Sequence, residues 1–249
     1  MTRDTLKSKL DGPLSNFFDL AGPVMLHLTV QRWRALAPRR RRRLSRPSPA
    51  RTVWGRLADR AFALLDLAGV ADLYETLTNA VARRTRPLSP AEVGFLRPIF
   101  GDSVPYALIR IDERAYLGPS WANFFYVSFH TVNAWGRISP PTLVHEVVHV
   151  WQYVHRGACY VPRALYAQRT AAGYDYGGLE PLAAAARLED FNYEQQADII
   201  EDAYRLANGY PSQWTPGRGP EVLPYYFPYL AELRSARLPA DYRYLTARS

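Results

Sequence analysis

Residues 139 to 157 read SPPTLVHEVVHVWQYVHRG, and no other stretch constrains the chain as strongly. Leu143, Val144, Val147, Val148, Val150, Trp151 and Val154 spread apolar groups around most of a helix that starts at Pro140 or Pro141 and stops at Gly157. Such a helix is expected to be central and dry. Into it are set His145, Glu146 and His149. Unpaired polar groups cost several kcal/mol when buried, so these three need a partner. Four residues apart on a helix, the two imidazoles project to one side, separated by about 40° around the axis and one turn along it. That is the geometry of a two-histidine metal clamp. Glu146, one residue after the first ligand, is placed to act as general base on a zinc-bound water instead of ligating.

A third ligand decides whether HExxH is a site or a coincidence. His155 has the ten-residue spacing of HExxHxxGxxH, but Gln152 stands where that pattern needs a chain-turning glycine. On a continuing helix His155 lies about 15 Å along the axis from His145 and about 240° around from His149, so it cannot converge on the same ion. The stretch FNYEQQADIIEDAY offers the alternative. Glu194 and Asp198 share one helix face beside Ala197, Ile199 and Ile200, with no basic residue between Asn192 and Ala203. Buried carboxylates in that setting repel unless a cation or imidazolium lies between them and something else. Zinc satisfies this: Glu194 is expected as third ligand, and Asp198 as acceptor from the outer nitrogen of a ligand histidine, fixing its tautomer.

HEVVH followed by EQQAD resembles the gluzincin clan of zinc metallopeptidases, with the pattern HExxH, a spacer and ExxxD. With LRPIFGDSVPYALIRI, AAGYDYGG and DFNYEQQADIIEDAY, the stretch from Leu88 to Asn208 is similar to small bacterial Vgr-related domains associated with type VI secretion. The resemblance implies an α+β, mostly helical fold: a gluzincin-like core with a small antiparallel or mixed sheet and a central HExxH helix. It implies metal ligands His145, His149 and Glu194, a catalytic base in Glu146 and an outer carboxylate in Asp198. It also implies a substrate strand added to a sheet edge, for which Phe124 to Val132 is the candidate. Tyr174, Tyr176 and Tyr193 are the candidates for a transition-state donor.

The rest of the chain divides around this unit. Ser89, Pro90 and Glu92 spell a helix start, with Pro98 and Gly101 marking its end; Asn192 and Gln195 start another that runs to Gly209. Tyr106 to Ile111 and Phe124 to Val132 read as strands. Pro23 to Ala37 and Thr52 to Arg83 read as helices, the second broken near Gly69. The expected organisation is a helical N-terminal extension over residues 1–86, a zinc domain over 87–209 and a Pro- and Tyr-rich extension over 210–249, holding one helix near Tyr229 to Arg237.

The formal charge of +8 is local: residues 32 to 51 hold nine arginines and no acid, and without them 22 basic residues face 23 acidic ones. Arg39 to Arg43, inside the segment 38–51, read first as an exposed linker; binding nucleic acid or an anionic membrane is the competing use. The longest apolar N-terminal run, Leu20 to Val30, is 11 residues, too short to span a bilayer. With one cysteine, Cys159, and no secretory h-region, the expected location is cytoplasmic, or exported by a route that needs no signal peptide. Two functions compete: a zinc metallopeptidase acting on a peptide or protein, and a catalytically silent zinc-stabilised adaptor tied to a secretion-system protein.

Overall fold

The computed structural model describes residues 53–70, 73, 85–115, 125–239 and 242. Expectations for residues 23–52, the arginine run included, and for most of 71–84 lie outside the described residues. Helix α1 covers Val53–Leu67; strand β1 covers Thr85–Pro87 and helix α2 Pro90–Phe100. Strands β2, Arg110–Asp112, β3, Tyr126–Ser128, and β4, Thr131–Asn133, follow. Helices α3, Pro140–Arg156, α4, Tyr160–Ala167, α5, Leu179–Ala184, α6, Tyr193–Ala207, and α7, Phe227–Ser235, complete the order.

The helix ends obey local chemistry. Ser89 caps α2 in a full capping box with Glu92, and Asn192 does the same for α6 with Gln195. Each such cap stabilises its helix by about 1 kcal/mol. Pro98 does not stop α2, which continues to Phe100 before Gly101 turns at φ 54°. Ser139 caps α3 ahead of Pro140, and Gly157 ends it with φ 88°.

The sheet is mixed, in the order β1-β2-β4-β3: β2 and β4 run parallel, the other two pairs antiparallel. Two strand expectations need correction. Tyr106–Leu108 forms a 3-10 turn, closed by Leu108 N–H donating to Pro105 O and held by the Tyr106 hydroxyl on Gly101 O, so β2 begins only at Arg110. The stretch expected as one strand up to Val132 is a hairpin, turning at Phe129 and His130. Phe129 takes φ 63° without being glycine. Its ring packs 5.1 Å from that of Tyr153, and its N–H donates to the Tyr160 hydroxyl at 3.3 Å, which offsets the strained backbone.

Helix α3 is the axis of the core. Every residue of α3 from Leu143 to Val154 is buried, between the sheet on one side and α6 on the other. α2, α7 and the tail close the same core: Phe100, Val147, Ile199, Tyr226, Tyr229 and Leu233 belong to one apolar cluster. The 3-10 segment Pro220–Tyr225 and α7 place those tail aromatics, where the sequence suggested mostly coil. Among the described residues no helix is long and apolar enough to cross a membrane.

Candidate metal centre

α3 and α6 lie side by side, and this pairing brings together residues about fifty positions apart in sequence. Glu194, in the first turn of α6, is 1% exposed; His145, Glu146 and His149 are 8%, 5% and 6% exposed. Glu194 Oε2 stands 3.4 Å from His145 Nε2 and 3.3 Å from His149 Nε2, and no hydrogen-bond donor satisfies it. A tetrahedral ion with bonds of roughly 2.0–2.1 Å needs ligand atoms about 3.3–3.4 Å apart. The three side chains thus fit a metal ion, and two nitrogens with one oxygen suit zinc.

The outer partners engage each Nδ1 and so turn each Nε2 inward, toward Glu194. His145 Nδ1–H donates to Asp198 Oδ1 at 2.8 Å, with Glu201 Oε2 at 3.2 Å. Asp198 is held in turn by the Trp214 indole N–H at 2.5 Å, and Glu201 by Arg205. His149 Nδ1–H donates to Gln152 Oε1 at 2.8 Å. The Gln152 amide then donates to Tyr193 O at 2.9 Å and Gln196 Oε1 at 3.1 Å, tying α3 to α6. Gln168 donates to Glu194 Oε1 at 3.0 Å, leaving Oε2 for the ion. Gln152, Gln168, Glu201 and Trp214 escaped the sequence reading. Two of them left a signal there: Gln152 is an uncharged polar residue in a buried apolar run, and Glu201 extends the Glu194, Asp198 face to i+7. Gln168 sits at the C-terminal cap of α4, and Trp214 comes from a segment with no periodic pattern.

Replacing Gln152 by leucine keeps the helix and the burial but frees the His149 ring. Zinc affinity is expected to fall about 10–100-fold, the usual cost of losing an outer partner, with the far-ultraviolet dichroism unchanged. Competition against a chromogenic chelator measures it; unchanged affinity would remove Gln152 from the site.

Protonation follows from the same contacts. Burial would depress both histidines, but the carboxylates win. His145 is raised well above its ordinary value through Asp198, Glu194 and Glu201, and His149 is raised mainly by the Glu194 charge. Glu194 is drawn below the usual carboxylate range by the two imidazoles, against its own burial. Glu146 goes the other way: burial pushes its carboxyl up, and Oε2 has no hydrogen-bond donor. The carboxylates therefore favour the protonated form of both histidines in the metal-free site. Zinc uptake is expected to release protons, and zinc affinity to fall as the solution is made more acid. Calorimetry in two buffers of different ionisation enthalpy counts the protons; a count near zero would mean that the histidines are not the ligands.

A cavity of about 360 Å³ opens above the centre, walled by Phe125, Tyr126 and Val127 on one side and by α4 residues Tyr160, Val161 and Ala164 on another. β3 is the sheet edge here, so the edge expected within Phe124 to Val132 narrows to its first half. The Tyr160 hydroxyl donates to Val127 O at 2.5 Å and anchors that edge to α4. Of the three tyrosine candidates, Tyr174 lines the cavity, its ring 6.0 Å from that of His145. Burial and the nearby Glu194 charge push its hydroxyl up to about 12, so it stays a donor at neutral pH. The other two point elsewhere. Tyr176 donates to Asp202 at 2.8 Å and meets the Tyr226 hydroxyl at 2.7 Å, and Tyr193 accepts from Arg163 at 2.9 Å. His155 is spent on Ser103 O at 2.8 Å.

Comparison with known proteins finds no matching family model and no matching solved structure. The chain is 29% identical over 141 residues to the type VI secretion system spike protein VgrG2b of Pseudomonas aeruginosa. The match covers 51% of this chain and 14% of that much longer protein. What the two share is therefore one segment, a small part of that protein's length.

Proposed function

We propose that the chain is a zinc-dependent metallopeptidase of gluzincin type that hydrolyses a peptide bond in a peptide or protein, in the context of a type VI secretion system. One observation carries the reading: two Nε2 atoms and an unsatisfied Glu194 oxygen converge beneath a cavity into which a buried, unpaired glutamate also faces. Bound at His145, His149 and Glu194, zinc would supply Lewis acidity and lower the pKa of water toward neutrality.

The chain's own residues do the rest. Glu146 is buried, which makes its carboxylate a stronger base than one in water. It takes a proton from the attacking water and delivers it to the amine nitrogen as the C–N bond breaks, which returns it to its starting state. Tyr174 is the group available to donate to the oxyanion that develops on the scissile carbonyl. The β3 edge holds an extended substrate chain by main-chain pairing, and Asp198 and Gln152 keep the imidazoles aimed.

The spike-protein similarity favours a second reading, the catalytically silent zinc-stabilised adaptor, because the relative's name speaks of secretion and not of hydrolysis. Unfolded casein incubated with the zinc-loaded chain separates the two. Cleavage that stops with chelator and returns with zinc supports the peptidase. Stoichiometric zinc without cleavage of casein or of a peptide library supports the adaptor.

A further inference from the structure

Helix α1 is packed the wrong way round for an ordinary surface helix. Its two acids, Asp59 and Asp66, are its buried residues. Asp59 meets Arg163 of α4 through two hydrogen bonds, at 3.0 and 2.7 Å, and half-buried Phe62 packs against the cluster of Tyr153 and Tyr160. The opposite face is apolar and open: Trp54 is 81% exposed, Leu57 49%, Leu64 56% and Leu65 45%. With exposed Ala61 these residues fall within about 100° of arc. Both arginines of the helix are exposed, Arg60 about 40° and Arg56 about 80° around the axis from Leu64, the nearest residue of the stripe, and neither acid is exposed.

We infer that the outward face of α1 is a docking surface for an anionic lipid membrane. Charge selects this occupant. Every negative charge of α1 is turned inward, both positive charges are turned outward, and the nine arginines of residues 32–51 lead directly into the helix. Apolar insertion and a basic segment together are the two signals that stable attachment to a bilayer surface requires, either one alone being weak. A tryptophan at one end of the stripe suits the headgroup boundary, and arginine stems can lie along the apolar surface while their heads reach lipid phosphates.

The test is sedimentation of the full-length, zinc-loaded chain with vesicles. One set is phosphatidylcholine containing about a third phosphatidylserine; the other is phosphatidylcholine alone. Binding is expected to the anionic set only and to weaken with added salt. A triple variant, Trp54→Ser with Leu57→Ser and Leu65→Ser, alters exposed positions and keeps its zinc; its partitioning is expected to drop at least about tenfold. Deleting residues 38–51 is expected to weaken binding and remove most of its salt dependence. The inference is overturned if the intact chain ignores anionic vesicles, if both vesicle sets bind alike, or if the triple variant binds as well as the parent. It is overturned too if the parent is a dimer that the triple substitution makes monomeric while neither binds vesicles, since the face would then belong to a second copy.

Discussion

If the proposed peptidase reading holds, Glu146→Gln is expected to leave the zinc content of the protein unchanged and to lower peptide hydrolysis by about 10²–10⁴-fold. The substitution keeps the size of the side chain and removes its basicity. Glu146 is not one of the three groups whose atoms converge, and their outer partners Asp198, Gln152 and Gln168 are untouched. What disappears is the acceptor for the proton of the attacking water, and positioned general bases contribute on that scale. A neutral amide in a 5% exposed position also removes a buried charge, so the variant should be no less stable than the parent. Rates on casein or a quenched peptide, beside elemental analysis of the same sample, measure both halves. Hydrolysis that persists in Glu146→Gln with zinc bound would refute the assignment of the base.

Glu194→Ala acts on the other half, and its effect on metal should be the largest of any single substitution. It removes one of three ligands and the charge that draws protons and cations to both histidines. Loss of an outer partner costs about 10–100-fold in affinity, and loss of a ligand should exceed that range. The parent chain is expected to gain thermal stability when zinc is added, because an ion that binds only the folded state stabilises it by mass action. Glu194→Ala should show no such gain at the same zinc concentration and should hold far less than one zinc after dialysis. Asp198→Asn, which leaves all three ligands in place, should fall between the two. If Glu194→Ala kept the zinc, the ion would have to sit elsewhere, for instance at His145, Asp198 and Glu201, whose ligand atoms also lie close together.

The parts of this site that were legible in the sequence are those set by local rules. His145 and His149 share a face because a helix repeats every 3.6 residues, and Glu194 and Asp198 do for the same reason; that the two faces meet followed from charge alone, since each was unstable without the other. Helix starts at Ser89, at Pro140 or Pro141, and at Asn192 were equally local. The strands were harder, because three-residue segments take their identity from partners far along the chain. The turn at Phe129 carries no glycine or asparagine and rests on contacts with Tyr153 and Tyr160. Gln168 reaches the centre from the C-terminal cap of α4 and Trp214 from an irregular segment, where no spacing rule says which way the side chain will point. The inverted packing of α1 was hidden for a related reason. Its periodicity was plain, but which face turns inward was decided by Arg163, about a hundred residues away.

The segment after α6 works as a strap. Buried Asp202 fastens it by accepting from the backbone N–H groups of Gln213 and Trp214, at 2.6 and 3.0 Å. That fastening sets down the Trp214 indole where its N–H grips Asp198, which in turn steers the ring of His145. The aim of the His145 ring is thus controlled by a buckle about seventy residues further along. Cutting the protein after residue 209 would leave His145, His149 and Glu194 in place and that buckle undone.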